Sequence, residues 1–211
     1  MNTLSTRSGT RIRTATLADA DTVVELASLV DLHLPSGETP AAALAPMRGA
    51  LTATNDGPLS HRLNHFLIAE TPDGLAVGLI VCGPPNWIYQ PGRVPGLARR
   101  RLAHRIATVH NLAVRPDHRR RGIAAELLRQ TEGTFRDAGY AALTLRHDRS
   151  LTAFYERQGY TSSTRLSLML PTFGLITVND RPWKHAFKNL APEVAVTTIQ
   201  GLPTITGLLP D

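Results

Sequence analysis

One segment, residues 106–128, constrains the fold of this chain more than any other, because a strand, a basic turn and a helix follow one another there. Ile106–Val114 is apolar and rich in β-branched residues, which predicts a buried strand. Pro116 and Asp117 end that strand, and a turn of three consecutive arginines follows. After Gly122, apolar residues recur at the spacing of an α-helix. The segment therefore predicts a strand that feeds the N-terminus of a helix through a glycine turn.

This turn has the properties of a site for a phosphorylated ligand. The first backbone N–H groups of a helix have no acceptor within the helix, and the helix dipole favours anions at that end. Gly122 lacks a Cβ atom, so a ligand can approach the main chain closely, and Ala124 keeps the following turn low. The sequence therefore predicts a pyrophosphate site. The alternative interpretation is a surface connection that carries three solvated arginines.

The same residues carry a family resemblance. The run from Val114 to Ala124 resembles the acetyl-CoA-binding signature of the GNAT N-acetyltransferase superfamily, Gln/Arg-x-x-Gly-x-Gly/Ala. Arg119, Gly122 and Ala124 occupy the signature positions. Residues 143–160 resemble a second block of that family, a strand followed by Asn-x-x-Ala-x-x-x-Tyr-x-x-x-Gly-Phe/Tyr.

The second block matches at three positions and departs at two. Tyr155, Gly159 and Tyr160 match, whereas Asp148 stands where asparagine is usual and Leu151 where alanine is usual. The departure bears on a cofactor contact at the first of these positions and does not bear on the fold. Asp148 is retained as a candidate cofactor-binding residue.

The resemblance covers residues 11–170 and implies an α/β fold of the α+β kind. This GNAT fold has a mixed central β-sheet, a splayed strand pair at the acyl-CoA site and helices on both faces. Residues 1–10 are expected to form a flexible tail. Residues 171–211 form an extension, for which we expect one or more extra strands packed on the same domain or on a neighbouring subunit.

The resemblance also implies an acyl-CoA-dependent N-acyltransferase whose cofactor is acetyl-CoA. The acetyl group would pass to a primary amine by direct attack in a ternary complex. Main-chain groups of the strand before the turn would contact the pantetheine arm: Leu112, Ala113 and Val114. The turn and the start of its helix would hold the pyrophosphate: Arg119, Arg120, Arg121, Gly122, Ile123, Ala124 and Ala125. Direct attack is favoured because Cys82, the only cysteine, lies in an apolar strand-like run.

Two residues are candidates for acid–base catalysis. Tyr155 occupies the position where a phenol of this family commonly protonates the sulfur of CoA, and its alternative role is that of a core aromatic. Strand alternation places His110 on one face with Thr108 and Leu112, where a neutral imidazole suits removal of a proton from an amine. A buried, hydrogen-bonded histidine is the alternative. Two acidic residues are further candidates for the base: Glu25 and Asp31.

Composition narrows the classes of partner. The net charge of +6 is compatible with a nucleic-acid or membrane partner, but a site for a ligand with several phosphates accounts for it equally well. Aromatic residues make up only 5% of the chain, and few interleave with the arginine runs, which disfavours nucleic acid. A single cysteine, a polar N-terminus and the lack of a long apolar run lead us to expect a cytoplasmic protein without a membrane partner.

His61 and His65 have a metal-like spacing, but arginine follows the first of them, and the pair straddles a loop and a strand, so no metal site is predicted. The rival functions are a non-catalytic acyl-CoA sensor and a basic nucleic-acid-binding module. The amine acceptor is left open among a small-molecule amine, an antibiotic, a peptide N-terminus and a protein lysine, and a homodimer is left open as well.

Overall fold

The structure is a computed structural model, and it describes these residues: 9–30, 39–53, 57–171 and 173–209. The chain divides into two compact units. The first comprises the chain up to Cys82 together with His110–Thr134, and the second comprises Gly83–Val109 and the chain from Phe135 onward. One strand, β4, contributes its first part to the second unit and its last part to the first.

The first unit contains most of the predicted phosphate-binding segment. Its strands follow the order β1-β2-β3-β4, and β2 is antiparallel to both β1 and β3. Its elements are β1 (Arg11–Thr14), α1 (Ala20–Ala27), α2 (Pro40–Ala50), β2 (His65–Glu70), β3 (Ala76–Gly83), the last part of β4 (Ile106–Val114) and most of α4 (Ile123–Asp137).

The core of this unit lies between strands β2 and β3 and helix α1. Phe66, Ile68 and Leu79 of the two strands are buried in one cluster with Val23 and Leu26 of α1. Fully burying a side chain of this size contributes about 1.5–3 kcal/mol relative to leaving it exposed. The cluster therefore stabilises β2 and β3, and β3 is the strand beside which the end of β4 lies.

Gly78 of β3 determines how closely α4 lies against the sheet. An ideal Cβ atom at this position would lie 3.0 Å from Cγ2 of Ile123 and 3.3 Å from Cδ1 of Leu127. Both atoms belong to the first turns of α4. Because Gly78 has no side chain, the first turns of α4 can pack closely against β3.

Replacing Gly78 by valine is expected to lower the free energy of unfolding by about 1–3 kcal/mol, because the added atoms overpack this contact. The matched control is Gly133→Ala in α4, where an ideal Cβ atom meets nothing within 4 Å. This control should instead raise the free energy of unfolding by about 0.5–1 kcal/mol through helix propensity. Denaturant titration measures both changes. A Gly78→Val variant as stable as the wild type would contradict the close packing of α4 on β3.

The second unit contains two sheets. Its elements are α3 (Gly96–Ala103), the first part of β4, β5 (Ala142–His147), α5 (Thr152–Arg157), β6 (Thr161–Ser163), β7 (Leu166–Leu170), β8 (Gly174–Val178), β9 (Lys184–Asn189), β10 (Ala195–Ile199) and β11 (Leu202–Thr206). One sheet has the order β4-β5-β9-β6 and the other the order β10-β11-β7-β8. Strands β4 and β5 are parallel, whereas β9 is antiparallel to both β5 and β6.

The pairing of β4 with β5 is short. Its register runs from Ile106↔Ala142 to Val109↔Leu145, although β4 continues to Val114 and β5 continues to His147. The mixed strands and intervening helices confirm the α/β class predicted from the sequence.

Two expectations about the second unit were wrong. The alternating pattern of residues 161–170 predicts a single strand, but a bend after Ser163 interrupts the run, which supplies β6 and β7 to different sheets. The prolines and glycines of residues 84–104 predict a long connection between strands, but this segment contains helix α3. Proline and glycine punctuate this connection, but they lie outside the eight residues of α3 except for Gly96 at its start, where glycine is tolerated.

Candidate functional site

The predicted phosphate-binding turn follows β4 directly in the first unit. A short 3-10 turn over Pro116–His118 leads into it, and Gly122 takes a left-handed φ of +81° before α4 begins. Gly122 is exposed, and an ideal Cβ atom at this residue would meet no other atom within 4 Å. The main chain at the N-terminus of α4 is therefore open, as the sequence predicts.

Hydrogen bonds from arginine side chains to main-chain carbonyls shape the turn. Nε of Arg119 donates to the carbonyl of Val114 at 3.0 Å, and Nη2 of Arg121 donates to the carbonyl of Asp117 at 3.1 Å. Both arginines are exposed, and a guanidinium group has five N–H donors, so each retains donors for an anionic partner. These arginines therefore add positive charge to the turn and also stabilise its conformation.

Arg115 anchors the end of β4 within the first unit. Its backbone N–H donates to the carbonyl of Val77 at 2.9 Å, and its Nε donates to the carbonyl of Ala76 at 2.8 Å. Its Nη2 also pairs with a carboxylate oxygen of Glu25 at 2.7 Å. Glu25, one of the alternative bases, is thus engaged in an ion pair, and Asp31 lies outside the described residues.

The first turn of α4 supplies N–H groups that the helix does not use. The N–H of Glu126 donates to the carbonyl of Gly122 at 3.0 Å, and the residues before Glu126 have no acceptor within the helix. Ile123 is buried, whereas Ala124 and Ala125 are half-buried. The hydrogen bond from Arg129 holds the pKa of Glu126 below its usual range, so the one carboxylate in this turn is paired with a positive charge.

The last part of β4 shows the expected alternation. Asn111 and Ala113 are buried, whereas His110 is exposed and Leu112 and Val114 are half-buried. The buried amide of Asn111 donates to the carbonyl of Ala27 at 3.1 Å and fixes this strand to the end of α1. His110 therefore shares the more accessible face with Leu112, and the alternative of a buried histidine is wrong.

Tyr155 lies in α5 of the second unit and is 6% exposed. Its ring lies 5.0 Å from the rings of both His147 and Phe154 and 5.9 Å from that of Tyr160, measured between centroids. Burial raises the pKa of Tyr155 to about 12. The phenol is therefore protonated throughout the neutral range and can act as a proton donor.

Asp148 directly follows β5 and is exposed. One of its carboxylate oxygens accepts a hydrogen bond from the N–H of Ser150 at 2.8 Å. Hydrogen bonds from the Ser150 hydroxyl and, to a smaller extent, from this N–H hold the pKa of Asp148 below its usual range. The carboxylate thus caps the 3-10 turn over Arg149–Leu151 that precedes α5. An asparagine side chain could accept the same bond, so this cap does not distinguish aspartate from asparagine.

His147, which sequence reasoning did not select, is 2% exposed at the end of β5. Its Nδ1 lies 2.7 Å from the carbonyl oxygen of Asp148, and its Nε2 lies 3.2 Å from Oγ of Ser162. A histidine at the end of an apolar strand carries no periodic signal, and its contact with the ring of Tyr155 depends on the fold.

The described residues contain no group of three His, Cys, Asp or Glu side chains that could hold a metal ion. Nε2 of His61 lies 2.8 Å from the carbonyl oxygen of Ala15, and burial lowers the pKa of His65 to about 4.

Over the same described ranges, none of the helices has both the length and the apolar character needed to cross a membrane.

A family model described as an acetyltransferase (GNAT) domain matches residues 62–162 of the chain. This range includes β4, the basic turn, α4 and Tyr155. No curated protein matches the chain.

Several solved structures share the fold. A GNAT-family acetyltransferase from Staphylococcus aureus Mu50 has a TM-score of 0.58 and 13% identity, with 86% of this chain and 99% of that chain covered. The ribosomal-protein-S18-alanine N-acetyltransferase from Escherichia coli has a TM-score of 0.53 and 14% identity, covering 86% and 94% of the two chains. A GNAT phosphinothricin acetyltransferase from Sinorhizobium meliloti, solved in complex with AcCoA, has a TM-score of 0.58 and 12% identity, covering 87% and 89%.

Proposed function

We propose that this chain transfers an acetyl group from acetyl-CoA to an amine, because an acetyltransferase (GNAT) domain model matches residues 62–162 and solved GNAT acetyltransferases share its fold. The open turn at Gly122 carries the proposal. It joins a buried strand to an unobstructed helix N-terminus, and its three exposed arginines add positive charge. This combination matches the pyrophosphate of a nucleotide cofactor in charge and in hydrogen bonding.

The residues of this chain fit acetyl-CoA. The main chain over residues 119–125 and the side chains of Arg119 and Arg121 would hold the pyrophosphate. The main-chain groups of Leu112, Ala113 and Val114 would contact the pantetheine arm, and Asp148 is a further candidate contact. Fit is supported by the left-handed φ of +81° at Gly122 and by the empty space where a Cβ atom would lie.

When bound, acetyl-CoA supplies an activated thioester and a thiolate leaving group. Tyr155 would give its phenolic proton to the sulfur, and the pKa of about 12 keeps that proton available at neutral pH. His110, exposed on β4, would accept a proton from the amine directly or through one water molecule. Direct attack is supported because burial raises the pKa of Cys82 and leaves this thiol protonated, unsuited to carry an acetyl group.

Turnover in the presence of a panel of amines tests this function. Acetyl-CoA and the protein are incubated with a mixture of small-molecule amines and peptides, and mass spectrometry detects products heavier by one acetyl group. We expect acetylation of at least one class of amine, with steady-state kinetics that require both substrates in one complex. Tight binding of acetyl-CoA without turnover across the panel would instead support the rival function of an acyl-CoA sensor.

The role of His110 predicts a pH profile. The value of kcat/KM should rise with pH through the range in which histidines ordinarily titrate, about 6–7, because only the neutral ring accepts a proton. His110→Gln should remove this acidic limb. Deprotonation of the amine itself produces a similar limb, so acceptors of different pKa must be compared. A limb that follows the pKa of the acceptor and survives His110→Gln would contradict the role of His110 as base.

A further inference from the structure

The buried histidine at the end of β5 contacts three segments of the second unit. The nitrogen Nδ1 of His147 lies 2.7 Å from the carbonyl oxygen of Asp148, Nε2 lies 3.2 Å from Oγ of Ser162 in β6, and the ring lies 5.0 Å from that of Tyr155 in α5. The plane of the His147 imidazole is inclined by 43° to the plane of the Tyr155 ring. One side chain thus joins the turn before α5, strand β6 and the candidate acid.

The hydrogen bonds define the tautomer of His147. A carbonyl oxygen can only accept, so Nδ1 carries the hydrogen and donates it to Asp148. In a neutral imidazole Nε2 is then an acceptor, which suits the hydroxyl of Ser162 as donor. Burial lowers the pKa of His147, and the neighbouring Lys184 acts in the same direction, whereas Asp148 and Glu156 oppose it. His147 is therefore neutral at physiological pH, and the hydrogen bonds to Asp148 and Ser162 engage both of its ring nitrogens.

The turn that His147 holds includes a candidate cofactor contact. The carbonyl of Asp148 accepts a hydrogen bond from His147, and its carboxylate accepts one from the N–H of Ser150 at 2.8 Å. Both the main chain and the side chain of Asp148 are therefore held in place. The 3-10 turn over Arg149–Leu151 continues directly into α5, which carries Tyr155. His147 therefore contacts both the turn that precedes this helix and the ring of Tyr155 within it.

We propose that His147 is a positioning residue for acetyl transfer, which holds the Asp148 turn through a hydrogen bond and holds the phenol of Tyr155 through ring contact. This inference rests on the proposed function. It does not require His147 to touch either substrate. The hydrogen bond governs the place of the turn, and the ring governs the burial of the phenol, so the two contributions can be separated by substitution.

Three variants of His147 separate the contribution of the hydrogen bond from the contribution of the ring. His147→Ala removes the ring and both hydrogen bonds, His147→Phe keeps the ring alone, and His147→Asn keeps a donor close to the place of Nδ1. The matched control is His185→Ala, because His185 is a second buried histidine, on β9, whose Nε2 lies 3.7 Å from Asp180. Circular dichroism and thermal unfolding establish which variants are folded. Should His147→Ala not fold, the other two variants still test both contributions.

Titration of the phenol gives a readout that needs no activity. The absorbance of tyrosinate is followed against pH for each variant with and without Tyr155→Phe, and the difference isolates Tyr155. We expect the pKa of Tyr155 to fall from about 12 toward the ordinary value of 10.0 in His147→Ala, because water reaches the phenol. It should remain near about 12 in His147→Phe and in His185→Ala. An unchanged pKa in folded His147→Ala would overturn the role of the ring.

Kinetics test the role of the hydrogen bond. His147→Phe should raise KM for acetyl-CoA by about five- to tenfold, the loss expected from one hydrogen bond, while His147→Asn should restore much of it. A residue that only stabilises the fold would lower the amount of active protein and leave KM unchanged, as expected for His185→Ala. Equal KM values in wild type and His147→Phe would overturn this half of the proposal. If the wild type lacks turnover, the proposed function fails, and the phenol titration still decides whether His147 positions Tyr155.

Discussion

Replacing Gly122 by glutamate is expected to raise the dissociation constant for acetyl-CoA by about 100-fold or more. Two effects add. A residue with a Cβ atom at the φ of +81° is strained by about 1–2 kcal/mol, which disfavours the present form of the turn. The carboxylate would also enter a turn whose N–H groups and arginines attract anions, and it would compete with the pyrophosphate. A 100-fold change corresponds to about 2.7 kcal/mol, which one partly screened charge interaction and this strain can supply.

Two controls separate strain from charge. Gly122→Lys carries the same backbone cost with the opposite charge, so it should bind acetyl-CoA more tightly than Gly122→Glu. Gly139→Glu carries the same substitution to the far end of α4, at a φ of +82° and again with no atom within 4 Å of an ideal Cβ. It should leave the affinity unchanged. Isothermal calorimetry on folded variants measures all three, and wild-type affinity in Gly122→Glu would contradict the cofactor site.

The central segment could be predicted from the sequence because its signals are local. The apolar run and the proline that follows it determine β4, which has the predicted bounds Ile106–Val114. Glycine marks three positions where a left-handed residue precedes or follows a helix: Gly122 has a φ of +81°, Gly139 a φ of +82° and Gly159 a φ of +83°. Arg120, in contrast, has a φ of +62°. Residues other than glycine rarely adopt a positive φ, so the sequence gives no sign of this conformation.

The remaining strands depend on pairing between distant parts of the chain. Strand β9 (Lys184–Asn189) lies between β5 and β6, although it follows both in sequence. Its ends are charged or polar, so its apolar alternation is short and does not distinguish it from a loop. Strand β11 (Leu202–Thr206) contains a proline and is recognisable only through its partners β10 and β7. In both cases the partner strand, more than the intrinsic pattern, makes the segment a strand.

The candidate site likewise contains residues that the sequence identifies and one residue that it does not. The glycine, the arginines and the tyrosine stand in short patterns that can be identified along the chain. His147 has no such pattern, because its three partners come from the adjacent residue, from β6 and from α5. Sequence reasoning therefore finds groups that meet a ligand through a local turn, and it misses a group that acts through tertiary contacts.

Replacing Tyr155 by phenylalanine is expected to lower kcat by about 100-fold, the lower range for loss of a general acid. The substitution keeps the ring contacts with His147, Phe154 and Tyr160 and removes only the hydroxyl, so the affinity for acetyl-CoA should stay unchanged. Because burial raises the pKa of Tyr155 to about 12, the donor is protonated below that value and is lost only above it. Its ionisation should therefore cause no fall in the wild-type rate between pH values of about 7 and 10.

The matched control for this prediction is Tyr160→Phe, which removes a hydroxyl from the neighbouring buried ring, 5.9 Å away between centroids. It should retain the wild-type kcat, because the proposal gives no proton transfer to Tyr160. Single-turnover kinetics with saturating acetyl-CoA establish that chemistry, rather than product release, limits the measured rate. If chemistry is limiting and Tyr155→Phe turns over as fast as Tyr160→Phe and the wild type, the phenol of Tyr155 packs the core of the second unit and a water molecule protonates the thiolate instead.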